Sequence, residues 1–141
     1  QHFSIKNTGA SPDGLVGERG LVEIKCPNTA THIETLLGSS VPAKYVTQMQ
    51  WQMACTGRAW CDFVSYDPRL PESMSLFVKR VERDSDMIAM LEKEVATFLR
   101  EVDQTVAELL AKYEPDGRPA NIRAAAERYA EGLGTIVTTG A

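Results

Sequence analysis

The 141-residue chain is poor in the residues that build disulfide frameworks and zinc centres. Its three cysteines, Cys26, Cys55 and Cys61, are an odd number without CxxC spacing, which predicts reduced thiols in a cytosolic protein. The two histidines, His2 and His32, do not lie at ligand spacing from a cysteine, so a zinc site is not expected. We predict that His32 is an ordinary residue on a helix surface.

Long apolar runs are also missing. No stretch approaches the roughly 20 apolar residues that a membrane-spanning helix needs, so we expect no membrane association. Hydrophobic residues make up 43% of the chain and charged residues 24%, proportions that are ordinary for a globular domain. The length suits a single buried core.

Positive charge is scarce overall, and the net charge of −4 argues against a generic DNA-binding protein, which is usually basic. The balance differs along the chain. Residues 1–81 contain eight Lys and Arg against seven Asp and Glu, whereas residues 82–141 contain seven against twelve. The excess acid therefore lies in the C-terminal part, and the first part of the chain can still contact an anion.

One carboxylate and a Glu-x-Lys pair flank a glycine-rich stretch. Asp13 precedes it, Glu23 and Lys25 follow it, and glycines at three intervening positions allow a tight reversal. We predict a hairpin with strands over about 10–16 and 20–26. Because strand side chains alternate between faces, Glu23 and Lys25 should share one face. If the strands pair, Asp13 lies beside both.

These residue types suit phosphodiester hydrolysis assisted by a metal. Two neighbouring carboxylates, such as Asp13 and Glu23, repel each other unless a cation neutralises them. Mg²⁺ is bound by carboxylates together with main-chain oxygens, water and substrate phosphate. A lysine beside that metal has its ammonium form disfavoured, so Lys25 could serve as a base towards water. Ile24, between the pair, is predicted to point into the core.

Four ordered blocks extend this pattern. They are Ser-Pro-Asp-Gly-Leu at 11–15, Glu-Ile-Lys-Cys-Pro at 23–27, Tyr45-x-x-Gln48-x-Gln50, and Tyr-Asp-Pro-Arg at 66–69. Together they resemble the lambda exonuclease, or YqaJ-like viral recombinase, family of the PD-(D/E)XK nuclease superfamily, from about residue 11 to 113. An acid followed by Glu-x-Lys occurs by chance in many strands, whereas four ordered blocks are much more specific.

The resemblance implies a set of catalytic residues: Asp13, Glu23, Lys25, Gln48 and Tyr45. Asp13, Glu23 and the Ile24 carbonyl would bind Mg²⁺, for which Mn²⁺ could substitute. Lys25 would activate or position water, and Gln48 and Tyr45 would support the phosphate. From spacing alone, Gln48 and Gln52 fit a solvated helix face.

The remaining pattern predicts helices and strands in a defined order. An edge strand is expected around Phe3 and Ile5. Helices are predicted from about 28 to 37, 42 to 55, 84 to 112 and 119 to 131, and strands at 58–66 and 74–81. In the first helix, Ile33, Leu36 and Leu37 should form the apolar side; in the second, Val46, Met49 and Met53.

This order predicts an α/β fold with a mixed central sheet flanked by helices, in agreement with the restriction-endonuclease-like core that the resemblance implies. We assign residues 1–113 to the nuclease core and 114–141 to a C-terminal helix and tail. Asp67 and Arg69 are predicted to stabilise a turn, and Lys79 and Arg80 to form a solvated pair rather than a DNA contact.

The resemblance implies a Mg²⁺-dependent exonuclease that resects double-stranded DNA from 5′ to 3′. Such enzymes act at DNA ends with a single-strand annealing partner, as a ring-shaped trimer, in the cytoplasm of a bacterial or phage-infected host cell. The family also carries a helical N-terminal segment whose arginine grips the 5′ phosphate. No residue here can be assigned that role, so we expect a fragment or a short homologue.

Two other functions fit the same residues. A non-catalytic DNA-binding or assembly module could keep the nuclease fold, as the net negative charge would allow. An endonuclease of restriction or repair type could use the same core, because fold alone does not decide the reaction.

Overall fold

The computed structural model describes residue 2 and residues 4–113. Their elements, in chain order, are β1 (Gly14–Val16), β2 (Gly20–Lys25), α1 (Thr29–Gly38), α2 (Ala43–Thr56), β3 (Trp60–Tyr66), α3 (Glu72–Ser75), β4 (Leu76–Glu82) and α4 (Ser85–Tyr113). The chain divides into two compact units, residues 1–94 and 95–141. The boundary falls within α4, and the predicted division at residue 113 stays a prediction.

The four strands form one sheet in the order β1-β2-β3-β4. β1 and β2 are the antiparallel hairpin predicted from the glycines, although β1 starts only at Gly14 and leaves Asp13 just outside it. β3 pairs in parallel with β2 and antiparallel with β4. The mixed sheet confirms the predicted α/β architecture.

The core lies on the face of the sheet that α2 and the start of α4 cover. It contains Leu21, Met49, Met53, Ala54, Cys61, Phe63 and Ile88. The prediction that Met49 and Met53 are core residues is confirmed, since both are fully buried. Pro42 precedes α2, and Gly57 ends it in the left-handed conformation that glycine adopts most readily.

The prediction that Ile24 points into the core is wrong. Its side chain is 47% exposed on the opposite face of the sheet, whereas Glu23 is 1% exposed. The alternation itself is as predicted, but Glu23 and Lys25 share the helix-covered face with Leu21. An acid therefore occupies a position where a strand pattern would place an apolar residue.

The outer face of the sheet is held together by packing across neighbouring strands. Trp60 on β3 covers Gly20 on β2, where even a methyl group would collide with its ring. The Arg80 guanidinium lies 3.5 Å from the centre of that ring and donates to Asp62 at 2.7 and 2.9 Å. Lys79 donates to the Ser39 carbonyl at 2.7 Å. Both Lys79 and Arg80 are solvent-exposed, as predicted, although each has a partner within the protein.

Helix α1 buries a polar side rather than the predicted apolar one. Asn28 caps it by accepting from the Thr31 amide at 2.9 Å, but Leu37 and Ile33 are exposed. His32, predicted to lie on the surface, is fully buried. Its ring contacts polar groups of β3 and of the α3 turn, which replace water as hydrogen-bond partners.

The buried ring of His32 joins α1 to two other segments. Nε2 lies 2.9 Å from the Met74 carbonyl oxygen, which can only accept, so Nε2 donates. Nδ1 lies 2.7 Å from the Ser65 hydroxyl, and Ser65 is itself buried. Both ring nitrogens are therefore satisfied inside the protein, which explains why a histidine is tolerated there.

The turn after β3 is organised by an ion pair between a buried carboxylate and a partly exposed arginine. Asp67 is fully buried and accepts from the Arg69 amide at 3.0 Å and from its guanidinium at 2.6 and 3.1 Å. Arg69 also donates to the Pro27 carbonyl at 3.0 Å. These bonds tie the turn to the segment that follows β2, which supports the predicted structural role.

At both ends of the described chain, the structure differs from the expected secondary structure or burial. Residues 4–7 form bends and a turn instead of the predicted edge strand; Phe3 and the predicted helix at 119–131 lie outside the described residues. In α4, Asp84 accepts from the Met87 amide at 2.9 Å and begins the helix. Ile88 is buried, whereas Phe98 and Leu109 are exposed.

Candidate active site at the end of the second strand

Glu23 is the centre of a cluster formed by β2 and α2. The Gln48 amide donates to its Oε1 at 2.7 Å, and the Gln52 amide donates to its Oε2 at 2.6 Å. The Lys25 ammonium also donates to Oε1. Three donors from two elements therefore compensate the burial of this carboxylate, which would otherwise be costly.

Lys25 is the cation that neutralises Glu23 in this structure. The hydrogen bond to Glu23 is the main reason that the pKa of Lys25 is raised, with smaller contributions from the Glu23 and Asp13 charges, while burial acts in the opposite direction. The ammonium form is therefore favoured. The expectation of a disfavoured ammonium assumed a neighbouring metal, whereas here Lys25 occupies that electrostatic role itself.

Asp13 approaches from the loop before β1. Its Oδ2 accepts from the Ile24 amide at 2.7 Å, which fixes the carboxylate beside the edge of β2. Asp13 is exposed, and its charge reaches Lys25. The predicted pairing of the hairpin thus brings Asp13, Glu23 and Lys25 into one region, with Asp13 on its solvent side.

Tyr45 forms one wall of the site. Its ring stacks on Phe63, with centroids 5.4 Å apart, and the Lys25 ammonium lies 5.1 Å from its centre. The Lys44 ammonium lies 4.8 Å from the same ring. Of the predicted catalytic residues, Tyr45 and Gln48 therefore lie with Glu23 and Lys25 in the structure.

Gln52 is a site residue that the sequence reasoning missed. Spacing favoured a solvated position, yet its side chain is fully enclosed and donates to Glu23. The thiol of Cys61 lies 4.0 Å from its Oε1. Burial, then the nearby Glu23 charge, raises the pKa of Cys61 to about 12, so this cysteine stays a neutral donor. The available signal was the four-residue spacing from Gln48, which places both amides on one helix face.

The oxygen atoms of Asp13 and Glu23 partly meet the needs of a metal ion. Within residues 2 and 4–113, no group of three or more His, Cys, Asp or Glu side chains comes together to hold one. Asp13 and Glu23 supply carboxylate oxygens, the ligands that Mg²⁺ and Ca²⁺ take. A cation at Glu23 Oε1 would need Lys25 to turn away, since Lys25 and Gln48 both donate to that oxygen.

Comparison with known proteins bears on this arrangement. Residues 1–59, which include the hairpin and all of α2, match the YqaJ-like viral recombinase domain. This match agrees with the family resemblance that the sequence motifs predicted. The YqaJ-like match thus contains Asp13, Glu23, Lys25, Tyr45 and Gln48.

Solved structures agree with the YqaJ-like assignment. An alkaline exonuclease from Laribacter hongkongensis is 54% identical, with a TM-score of 0.81 over 83% of this chain. The same exonuclease in complex with dAMP is also 54% identical, with a TM-score of 0.80 over 82% of this chain. The chain spans 60% of the length of each of these exonuclease chains. These matches confirm the predicted fold.

Two findings are negative. No curated protein matches the chain. In the part of the chain that the structure describes, no helix has the length and apolar character required to cross a membrane.

Proposed function

We propose that this YqaJ-like domain is the catalytic domain of a DNA exonuclease. The observation that supports this proposal most strongly is a cluster of four polar side chains at one end of β2: Asp13, Glu23, Lys25 and Gln48. Identity of 54% to an alkaline exonuclease supports that reaction over a purely structural role. The exonuclease was also obtained in complex with dAMP, a deoxynucleoside monophosphate of the kind that hydrolysis at a DNA end releases.

Metal dependence is part of the proposal. Asp13, Glu23 and the Ile24 carbonyl would hold Mg²⁺, with Mn²⁺ as a substitute, because all three supply oxygen ligands. When bound, the ion would neutralise negative charge on the phosphate and on the leaving oxygen. The Lys25 side chain is 26% exposed, so its flexible stem can swing from Glu23 towards solvent when a cation takes its place.

The protein side chains have separate roles in this proposal. The Lys25 ammonium orients the attacking water and stabilises the negative charge that develops on the phosphate. The Gln48 amide donates to a phosphate oxygen without changing charge. The Tyr45 ring, whose centre lies 5.1 Å from the Lys25 ammonium, keeps that ammonium within reach of the phosphate. Gln52 holds the Glu23 carboxylate from its buried side.

The finer features follow the family. We propose double-stranded DNA ends as substrate, 5′ to 3′ resection, a ring-shaped trimer, a single-strand annealing partner and a cytoplasmic location. The chain spans 60% of the length of its exonuclease relative, and these features are therefore put forward as proposals.

A nuclease assay on linear duplex DNA in Mg²⁺ tests the assignment. Wild type should degrade the duplex, whereas Lys25→Ala and Glu23→Ala should lose activity by a factor of about 10² or more. Lys79→Ala removes a lysine that donates to the Ser39 carbonyl and serves as the matched control. Undiminished degradation by both site variants would refute the assignment.

Two further measurements distinguish the proposed exonuclease from an endonuclease and from a non-catalytic module. A circular duplex should resist degradation, because an exonuclease needs an end; rapid cutting of the circle would instead indicate an endonuclease. A titration with Mn²⁺ should show binding that Glu23→Ala abolishes. Absence of both binding and hydrolysis in wild type would favour the non-catalytic module.

A further inference from the structure

A cavity lined mainly by residues with polar side chains lies beside the proposed active site, where α1 meets the start of α2. Its volume is about 200 Å³, and it is lined by Thr31, Glu34, Thr35, Ser40, Pro42 and Lys44. Three of these side chains carry hydroxyl groups, one is a carboxylate and one is an ammonium.

Lys44 connects this cavity to the site. Its ammonium lies 4.8 Å from the centre of the Tyr45 ring, and the Lys25 ammonium lies 5.1 Å from the same centre. The two cations are therefore separated by no more than the sum of those distances. A single polymeric anion can reach both, because each strand of duplex DNA carries one charge per about 3.4 Å of helix axis.

The two lysines differ in their partners. Lys25 is paired with Glu23, whereas among the described residues Lys44 forms no ion pair and contacts the Tyr45 ring. A lysine that is not ion-paired with a carboxylate is available to bind a phosphate group of the substrate. It also supplies local positive charge to a chain whose net charge is −4.

The hydroxyl groups complete a surface that suits a sugar–phosphate backbone. Thr35 is buried and already donates to the Thr31 carbonyl at 3.0 Å, so its oxygen can only accept. Thr31 and Ser40 present hydroxyl groups that can donate to phosphate or accept from water. Glu34 repels a phosphate and thereby favours the Lys44 side of the cavity.

We propose that Lys44 and this cavity bind the DNA backbone next to the phosphate that is cleaved. The proposal rests on the proposed nuclease function and adds a second backbone contact to it. Lys44 positions the strand electrostatically, and the Thr31 and Ser40 hydroxyls bind the sugar–phosphate beside it. The contact is independent of base sequence, because it reads only charge and hydroxyl groups.

The test is equilibrium binding of a short fluorescent duplex over a series of salt concentrations, without divalent cations. For Lys44→Gln we expect affinity to fall about tenfold at low salt and the slope of log K against log salt to decrease by about 0.9, the value for one lost phosphate contact. Glu34→Gln should increase affinity. Lys93→Gln, which removes an exposed lysine of α4, should match wild type.

Activity separates this inference from the nuclease assignment. In Mg²⁺, Lys44→Gln should raise KM several-fold with little change in kcat, because the contact positions DNA rather than acting in the chemical step. If hydrolysis depends on Glu23 but Lys44→Gln keeps the wild-type salt slope and KM, the nuclease assignment stands and the backbone site is refuted. If wild type neither binds nor cleaves the duplex, both fail.

Discussion

Two buried carboxylates in this protein are compensated in opposite ways. Asp67 is fully buried and bound by Arg69, only two residues away. Glu23 is equally buried but is bound by Gln48 and Gln52 from another element and by the flexible Lys25. The donors to Asp67 come from one local turn, whereas the donors to Glu23 come from β2 and α2.

The difference explains which carboxylate can do chemistry. Asp67 receives two guanidinium bonds and a main-chain bond, and Arg69 is held in place by the Pro27 carbonyl. That carboxylate has a permanent cation. Two of the three partners of Glu23 are neutral amides, and its cation is on a movable stem. Glu23 can therefore exchange Lys25 for another cation, whereas Asp67 cannot exchange Arg69.

The largest expected effect is on Glu23 itself. Glu23→Gln keeps the size of the side chain but removes its charge, so DNA hydrolysis in Mg²⁺ should fall by a factor of about 10³. The fold should persist, because an amide oxygen can still accept from Gln48 or Gln52. Hydrolysis rates and circular dichroism are the measurements. A variant with wild-type activity would show that Glu23 is as structural as Asp67.

Gln52 sharpens the comparison because it contacts Glu23 without carrying charge. Gln52→Leu would leave Glu23 Oε2 without its donor, and loss of such a supporting partner weakens metal affinity or activity about 10- to 100-fold. Gln52→Glu would place two carboxylates together and should be worse. Mn²⁺ affinity measured by calorimetry, together with melting temperature, separates loss of carboxylate positioning from loss of folding. Wild-type Mn²⁺ affinity in Gln52→Leu would contradict this role.

Asp67→Asn should affect stability and leave chemistry nearly unchanged. The variant loses the ion pair that ties the turn to Pro27, so the melting temperature should fall by roughly 10 °C. Hydrolysis at 25 °C should stay within about twofold of wild type, since Asp67 lies outside the site. Thermal unfolding and the nuclease assay give the two readouts. A loss of activity matching that of Glu23→Gln would break the comparison.

A smaller effect concerns acid stability. The Arg69 guanidinium, followed by a hydrogen bond from Thr29, holds the pKa of the Asp67 carboxyl well below its usual range. A pKa lowered by folding contributes stability above the unfolded value, about 3.9, that is lost as pH falls towards the folded value. Wild type should therefore lose melting temperature below about pH 4 more steeply than Asp67→Asn. Parallel curves would contradict the assigned pKa direction.

The order of helices and strands was predictable from local sequence signals, but the face of each element that is buried was only partly predictable. Pro42 and Gly57 bound α2, and the glycines of the hairpin predicted β1 and β2. Alternation showed that Glu23 and Lys25 share a face, but not which face the helices cover, and hence Ile24 was placed on the wrong side. Periodicity shows which side chains share a face of a strand, whereas burial depends on which other elements pack against that face.

The missed polar residues share one cause. His32 is satisfied by Ser65, 33 positions later, and Gln52 by Glu23, 29 positions earlier. A polar residue on a helix is normally solvated, and only its distant partner makes burial favourable. Such pairs cannot be read from local spacing. The family blocks supplied Tyr45 and Gln48 because they record a tertiary arrangement that periodicity does not contain.

The most direct test of the account is anomalous diffraction from crystals of the protein grown with Mn²⁺. We predict one peak within about 2.0–2.3 Å of oxygens of Asp13 and Glu23, with the Lys25 ammonium displaced from Glu23. A peak elsewhere, or an intact contact between Lys25 and Glu23 with no metal beside them, would contradict the proposed site.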